Sequence, residues 1–112
     1  MDAIDRYRDI IESCLLEYTK PPYVHDEIDK EAVFDRSRDR YIVTTIGWDK
    51  RKRIHSCLLH IDLIDGKVWI QRDDTESGIA YDLLRAGIPK EDLVIGFRPA
   101  DVRPFIEFAN AG

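Results

Sequence analysis

The chain has only two cysteines, Cys14 and Cys57, so no disulfide framework can be the source of its stability. Both fall on apolar faces of their expected elements, where a reduced thiol packs as a small hydrophobe. No apolar run approaches the roughly 18 to 20 residues needed to cross a bilayer, so no membrane span is expected. The opening Met1-Asp2-Ala3-Ile4-Asp5 is acidic and helical in pattern, unlike a secretory signal, and a cytoplasmic location is expected. Positive charge is in deficit: 17 Lys+Arg stand against 22 Asp+Glu, a formal net charge of -5. That balance offers no general attraction to phosphate backbones or anionic lipid. The glycines at 47, 66, 78, 87, 96 and 112 are scattered, giving neither a phosphate-cradling loop nor a dinucleotide fingerprint.

What is present suits one domain over residues 1–112, since 44% hydrophobic residues are ample for a single core at this size. Ile4, Tyr7, Ile11, Cys14, Leu15 and Tyr18 repeat at spacings of three and four, which predicts a helix over about 2–19, stopped by Pro21-Pro22. Tyr23 to Asp29 reads as an irregular connection. From Lys30 to Asp35 the period is two, with Ala32 and Phe34 alternating against Glu31, Val33 and Asp35, and Arg36 to Asp39 forms a polar turn. Arg40 to Trp48 is β-branched and aromatic, Asp49 to Arg53 is a charged turn, and Ile54 to Ile64 is long enough to be the spine of a sheet.

Asp65-Gly66 is the commonest two-residue type I′ hairpin corner, and it sets Ile64 opposite Lys67, Leu63 opposite Val68 and Ile61 opposite Ile70. Leu59 and Cys57 share that core side, while His60, Asp62, Trp69 and Gln71 point the other way. Thr75 is the expected N-cap of a second helix through Ile79, Ala80, Leu83 and Leu84 to Gly87, followed by a break at Pro89. Leu93 to Phe97 reads as a strand covered on both faces, Pro99 as the start of a short helical turn, and the tail as anchored by Phe105, Ile106 and Phe108. The fold class is α+β: N-terminal helix, four-stranded antiparallel meander, helix, further strand and short C-terminal element, with helices on one face of the sheet.

Little of this reads as catalytic. Asp65-Gly66-Lys67, with Asp49 and Asp62 upstream, has the acid-x-Lys spacing of metal-dependent nucleases, but Asp65-Gly66 is better used as a hairpin corner. Asp73, Asp74 and Glu76 crowd the start of the second helix, where carboxylates favour the positive end of the dipole. His25, His55 and His60 show no zinc spacing, and strand alternation puts His55 and His60 on opposite faces. Ser56 lies mid-strand without a nucleophile elbow. No catalytic residue, metal or cofactor is therefore assigned. Arg36, Arg38 and Arg40 with Lys50, Arg51, Lys52 and Arg53 are the basic candidates for nucleic-acid contact, but the two turns lie at opposite ends of one strand. The sheet face away from the helices groups Leu58, His60, Trp69 and Gln71, with Trp48 as a further candidate. A tryptophan beside polar groups there suits a protein-interface anchor, with the 23–29 segment or the C-terminal tail as the alternative cover.

Tyr7-Arg8-x-Ile10-Ile11, Tyr18 with Pro22-Tyr23, Phe34-Asp35, Ile46-Gly47-Trp48-Asp49, Arg53-x-His55 and His60-Ile61-Asp62 together resemble the XisI family, the fdxN element excision controlling factors. The likeness continues through Asp65-Gly66-Lys67-Val68-Trp69-Ile70-Gln71, Thr75-Glu76-x-Gly78-Ile79-Ala80 and Gly87-Ile88-Pro89-Lys90-Glu91-Asp92, almost the whole chain in order. The resemblance implies a non-enzymatic cyanobacterial accessory protein acting with an XisH-like partner. Its setting would be excision of a DNA element during heterocyst differentiation, the excision being carried out by a separate recombinase. The expected partners are thus an XisH-like protein or a second copy of the chain, with direct DNA binding and then nuclease chemistry as the alternatives.

Overall fold

In the first helix of the computed structural model, which describes residues 2–20 and 27–101, Tyr7, Ile11 and Leu15 follow one another at a spacing of four and are buried. This helix, α1 (Ala3–Glu17), starts where the Asp2 carboxylate accepts from the Asp5 N–H at 2.8 Å, satisfying a donor that has no partner within the helix. Four antiparallel strands follow: β1 (Ile28–Asp35), β2 (Arg40–Asp49), β3 (Lys52–Ile64) and β4 (Lys67–Asp73). Then come α2 (Ile79–Ala86), a 3-10 turn over Lys90–Asp92 and β5 (Leu93–Ile95), which pairs parallel with β4. The strands lie in sequence order in one five-stranded mixed sheet.

The expected hairpin register is the observed one: Ile64 opposes Lys67, Leu63 opposes Val68 and Ile61 opposes Ile70. Asp65 and Gly66 take φ of 50° and 77°, the two positive values that a type I′ corner requires. Tyr41, Val43, Leu59, Ile61, Val68 and Ile70 are thereby aimed at one side, where they pack with the α1 stripe and with Ile79 and Leu83 of α2. Both helices sit on that face because it is the one with a continuous apolar surface to bury.

Several boundaries move, each for a local reason. Strand β1 begins at Ile28, inside the stretch expected to be irregular, since Ile28 pairs with Gly47. The charged turn contracts to Lys50-Arg51, with Asp49 opposite Lys52. Helix α2 starts after Gly78 rather than at Thr75: Asp73 takes over the capping, accepting from the Ile79 N–H at 2.8 Å and from the Thr75 N–H at 2.9 Å. Thr75 serves one step back, its hydroxyl accepting from the Gly78 N–H at 3.1 Å. Strand β5 is only three residues long. Leu93 and Ile95 are buried, but Val94 opposes Trp69 and is only partly covered. Pro99 precedes a turn at Ala100-Asp101, and the rest of the short helical turn expected there lies outside the described residues. Pro21-Pro22 and most of the 23–29 connection, like the tail with Phe105, Ile106 and Phe108, lie outside the described residues.

Gly47 explains one of the motifs. A Cβ there would meet the Glu27 carbonyl oxygen at 2.2 Å and the Ile28 Cα at 2.6 Å, both backbone atoms that cannot rotate away. Gly47→Ala is expected to push β1 off β2 and cost about 2 kcal/mol, within the range for overpacking a tight contact. Urea denaturation measures it, and an unchanged midpoint would refute the close approach.

Candidate interaction surface

Strand alternation and the observed pairings determine which side chains share the far face, the one that neither α1 nor α2 covers. Val33 opposes Ile42, Ile42 opposes His60, Asp62 opposes Trp69, and Trp69 opposes Val94. Val33 is 56% exposed, a large value for a valine on a sheet. At the centre lies Asp62, only 7% exposed. A carboxylate in that position needs donors, and three converge on it. His60 Nε2 lies 2.8 Å from Oδ1, Gln71 Nε2 donates to Oδ2 at 3.2 Å, and Arg40 Nε lies 3.5 Å from Oδ1. Because a carboxylate only accepts, Nε2 is the ring nitrogen that carries the hydrogen.

Two β-bulges rearrange the group expected on this face. At the first, the register shifts between Val43 and Thr44: Val43 pairs with Leu59, Thr44 pairs with Cys57, and Leu58 is the extra residue. Leu58 consequently packs against the helix-covered core instead of joining His60 and Trp69. Cys57, expected in the core, moves to the far face beside Thr44. The same shift places His55, opposite Ile46, on the face of His60, opposite Ile42, where simple alternation separates them. The two histidines are still five residue steps apart, roughly 16 Å along a strand, so they share no site. The second bulge, between His60 and Ile61, leaves Gln71 unpaired in the ladder and brings its amide onto Asp62.

Trp48 does not join Trp69. It pairs with Arg53 at the other end of β3, about nine residues or roughly 30 Å from Asp62. The basic turns differ in the same way. Arg36 reaches Asp9 and Glu12, Arg38 reaches Asp35 at 2.8 Å, and Arg40 reaches Asp62. Lys50, Arg51, Lys52 and Arg53 make no ion pair among the described residues, and all four are exposed.

The nuclease constellation is not assembled. Asp65 occupies the hairpin corner, Lys67 donates to Asp92 at 3.1 Å and to the Glu91 carbonyl at 3.0 Å, and Asp49 lies at the far end of the sheet. Of the acids before α2, Asp73 caps the helix and Asp74 pairs with Arg72 at 2.8 Å. Among the described residues no three His, Cys, Asp or Glu side chains converge as a metal site would require; His25 lies outside them. Ser56, opposite Thr45, is exposed on β3. No described helix is long and apolar enough to cross a membrane.

One structural centre escaped the reading of single elements. Asp39, at the end of the β1–β2 turn, receives Arg8 of α1 through Nε at 2.7 Å and Nη2 at 3.1 Å, and the hydroxyl of buried Tyr41 at 2.9 Å. Its own carbonyl accepts from the Leu63 N–H at 3.0 Å. The Arg8 guanidinium holds the Asp39 carboxyl below its usual range. The only signal in the sequence was Asp at a turn position that tolerates the left-handed region, here at φ 56°. Tyr7 and Tyr18 likewise send their hydroxyls to Asp92 and Asp82, fastening α1 to the segment before β5 and to α2.

The XisI protein family model matches residues 1–110 of the chain. Among solved structures, an XisI-like protein from Anabaena variabilis superposes with a TM-score of 0.84 at 27% identity, covering 93% of this chain and 95% of that one. The fdxN element excision controlling factor XisI from the same organism superposes with a TM-score of 0.79 at 30% identity, covering 95% and 96%. Comparison with curated proteins gave no match. A family match over nearly the full length, together with the same sheet and helices in those two structures, shows that this chain belongs to the XisI family.

Proposed function

We propose that this XisI-family chain is a non-enzymatic accessory factor, working in the cytoplasm, that binds an XisH-like protein through the far face of its sheet and so controls excision of a DNA element of the fdxN type during heterocyst differentiation. The observation that carries the reading is an apolar face, Val33, Ile42 and Trp69 around the His60–Asp62–Gln71 cluster, that neither described helix covers. Such a surface, apolar with a few fixed polar groups at its centre, is what a protein interface uses. The name of the Anabaena structure at 30% identity, an fdxN element excision controlling factor, supports the link to excision of such an element. The groups that hydrolysis would need are otherwise engaged, Asp65 in a corner and Lys67 on Asp92, which supports an accessory role.

The test is co-purification with an XisH-like protein encoded in the same host, followed by titration. Trp69→Ala should weaken the complex by about 2 kcal/mol, as for an interface anchor, and Val33→Asp by a similar amount because it places a charge on the apolar face. Failure of the unaltered chain to bind the XisH-like protein would overturn the partner. Undiminished binding by both folded variants would move the interface elsewhere, and a self-association lost in both would identify a second copy as the occupant.

A further inference from the structure

At the tip of the β2–β3 hairpin, away from the Asp62 cluster, four cations follow one another in Lys50-Arg51-Lys52-Arg53. None has a carboxylate partner among the described residues, although Asp49 stands opposite Lys52 in the register. The arginines of the β1–β2 turn at the other end are each paired. The contrast matters because a cation already neutralised by a carboxylate gains little from a phosphate, whereas a solvated one releases the phosphate's condensed counterions.

Trp48 stands beside this strip, 47% exposed, with the Arg53 guanidinium 5.2 Å from the centre of its ring. A half-exposed indole next to arginine is a stacking platform, since a base can lie against the ring while the cation holds the adjoining phosphate. Room for an extended strand exists as well: β4 ends with Asp73 opposite Leu59, so β3 from Lys52 to Ser56 has no neighbouring strand on that side among the described residues. Lys50 itself stands at the apex with φ 59°, a region where a glycine or asparagine is easier.

We propose that this hairpin tip binds single-stranded nucleic acid, the four cations taking successive phosphates and Trp48 taking a base. Single strands are specified because the bases of a duplex are already stacked on one another and present no free face to an indole. An acidic protein segment would satisfy the cations and leave the tryptophan without a stacking partner. The surface is separate from the far-face cluster, and its test does not depend on any XisH-like protein.

The experiment titrates a labelled oligothymidylate, and a duplex of equal length, into the purified full chain at several salt concentrations. The single strand is expected to bind more tightly, with log affinity against log salt falling at a slope of about -3, from about -0.7 for each of four phosphate contacts. Trp48→Ala should weaken binding about tenfold and Trp48→Phe should restore most of it, while Lys50→Gln with Lys52→Gln should reduce the slope by about 1.4. Arg38→Gln, at the exposed but paired end, should change neither affinity nor slope. The proposal is overturned by no binding at about 50 mM salt, by preference for the duplex, by indifference to the Trp48 and lysine substitutions in folded variants, or by polyglutamate competing as well as the oligonucleotide.

Discussion

Leu59→Ala is expected to lower the unfolding free energy by about 3 to 4 kcal/mol, the range for removing a fully buried leucine from a core that cannot collapse around the gap. Leu59 is fully buried on the central part of β3, opposite Val43 of β2 and Asp73 of β4. The two bulges flank it, one leaving Leu58 as the extra residue and the other falling between His60 and Ile61. They make its neighbours poor candidates for moving inward, because a shift of the backbone would disturb pairings on both sides. Leu58→Ala supplies the comparison: a partly buried side chain packed at the margin of the same core should cost about 1 kcal/mol and leave association unchanged. Urea denaturation of the two variants measures both values. Were Leu58 on the far face instead, its removal would weaken binding and spare stability, which is the opposite outcome.

Asp39→Ala should cost about 3 kcal/mol, from three losses at one position. The charge-assisted pair with Arg8 disappears, the hydroxyl of fully buried Tyr41 loses its acceptor, and alanine is left at φ 56°, where aspartate is better tolerated. Asp39→Asn keeps the turn geometry and an oxygen for Tyr41 and removes only the charge, so about 1 kcal/mol is expected. The pH dependence follows from the same contact. The Arg8 guanidinium lowers the folded-state value of the Asp39 carboxyl, so the folded protein binds its proton less readily than the unfolded chain does. The stabilisation is therefore complete above the unfolded carboxylate value of about 4 and is lost as pH falls through the lower folded value. Asp92, held low by the Tyr7 hydroxyl and then by Lys67, adds to the slope in the same direction. Denaturation midpoints measured from about pH 6 to pH 3 should fall for the unaltered chain and fall less for Asp39→Asn. Equal slopes would show that the Arg8 contact makes no difference to stability.

Local pattern determined a good deal of this molecule. The spacing of Tyr7, Ile11 and Leu15 sufficed for the α1 stripe because a helix repeats every 3.6 residues whatever it packs against. Asp65-Gly66 sufficed for the β3–β4 register because a two-residue corner leaves the flanking strands a single pairing, and once Leu63 faced Val68 the core side of that hairpin followed. The order of motifs from Tyr7 to Asp92 likewise carried the family.

Only the tertiary structure decided what each face presents. A bulge inserts one residue with no mark in composition or period, yet it reverses the side of every residue beyond it. That reversal packed Leu58 against the core, moved Cys57 out, and brought His55 onto the face of His60. The Asp62 cluster depends on the second bulge to deliver Gln71, and on β2 lying beside β3 to deliver Arg40. Trp48 and Trp69 looked like members of one group until strand length separated them. Of the two basic turns, charge alone could not tell the paired from the unpaired. The carboxylates of Asp9, Glu12 and Asp62 come from α1 and β3, which reach the arginines only when the sheet and helix are assembled.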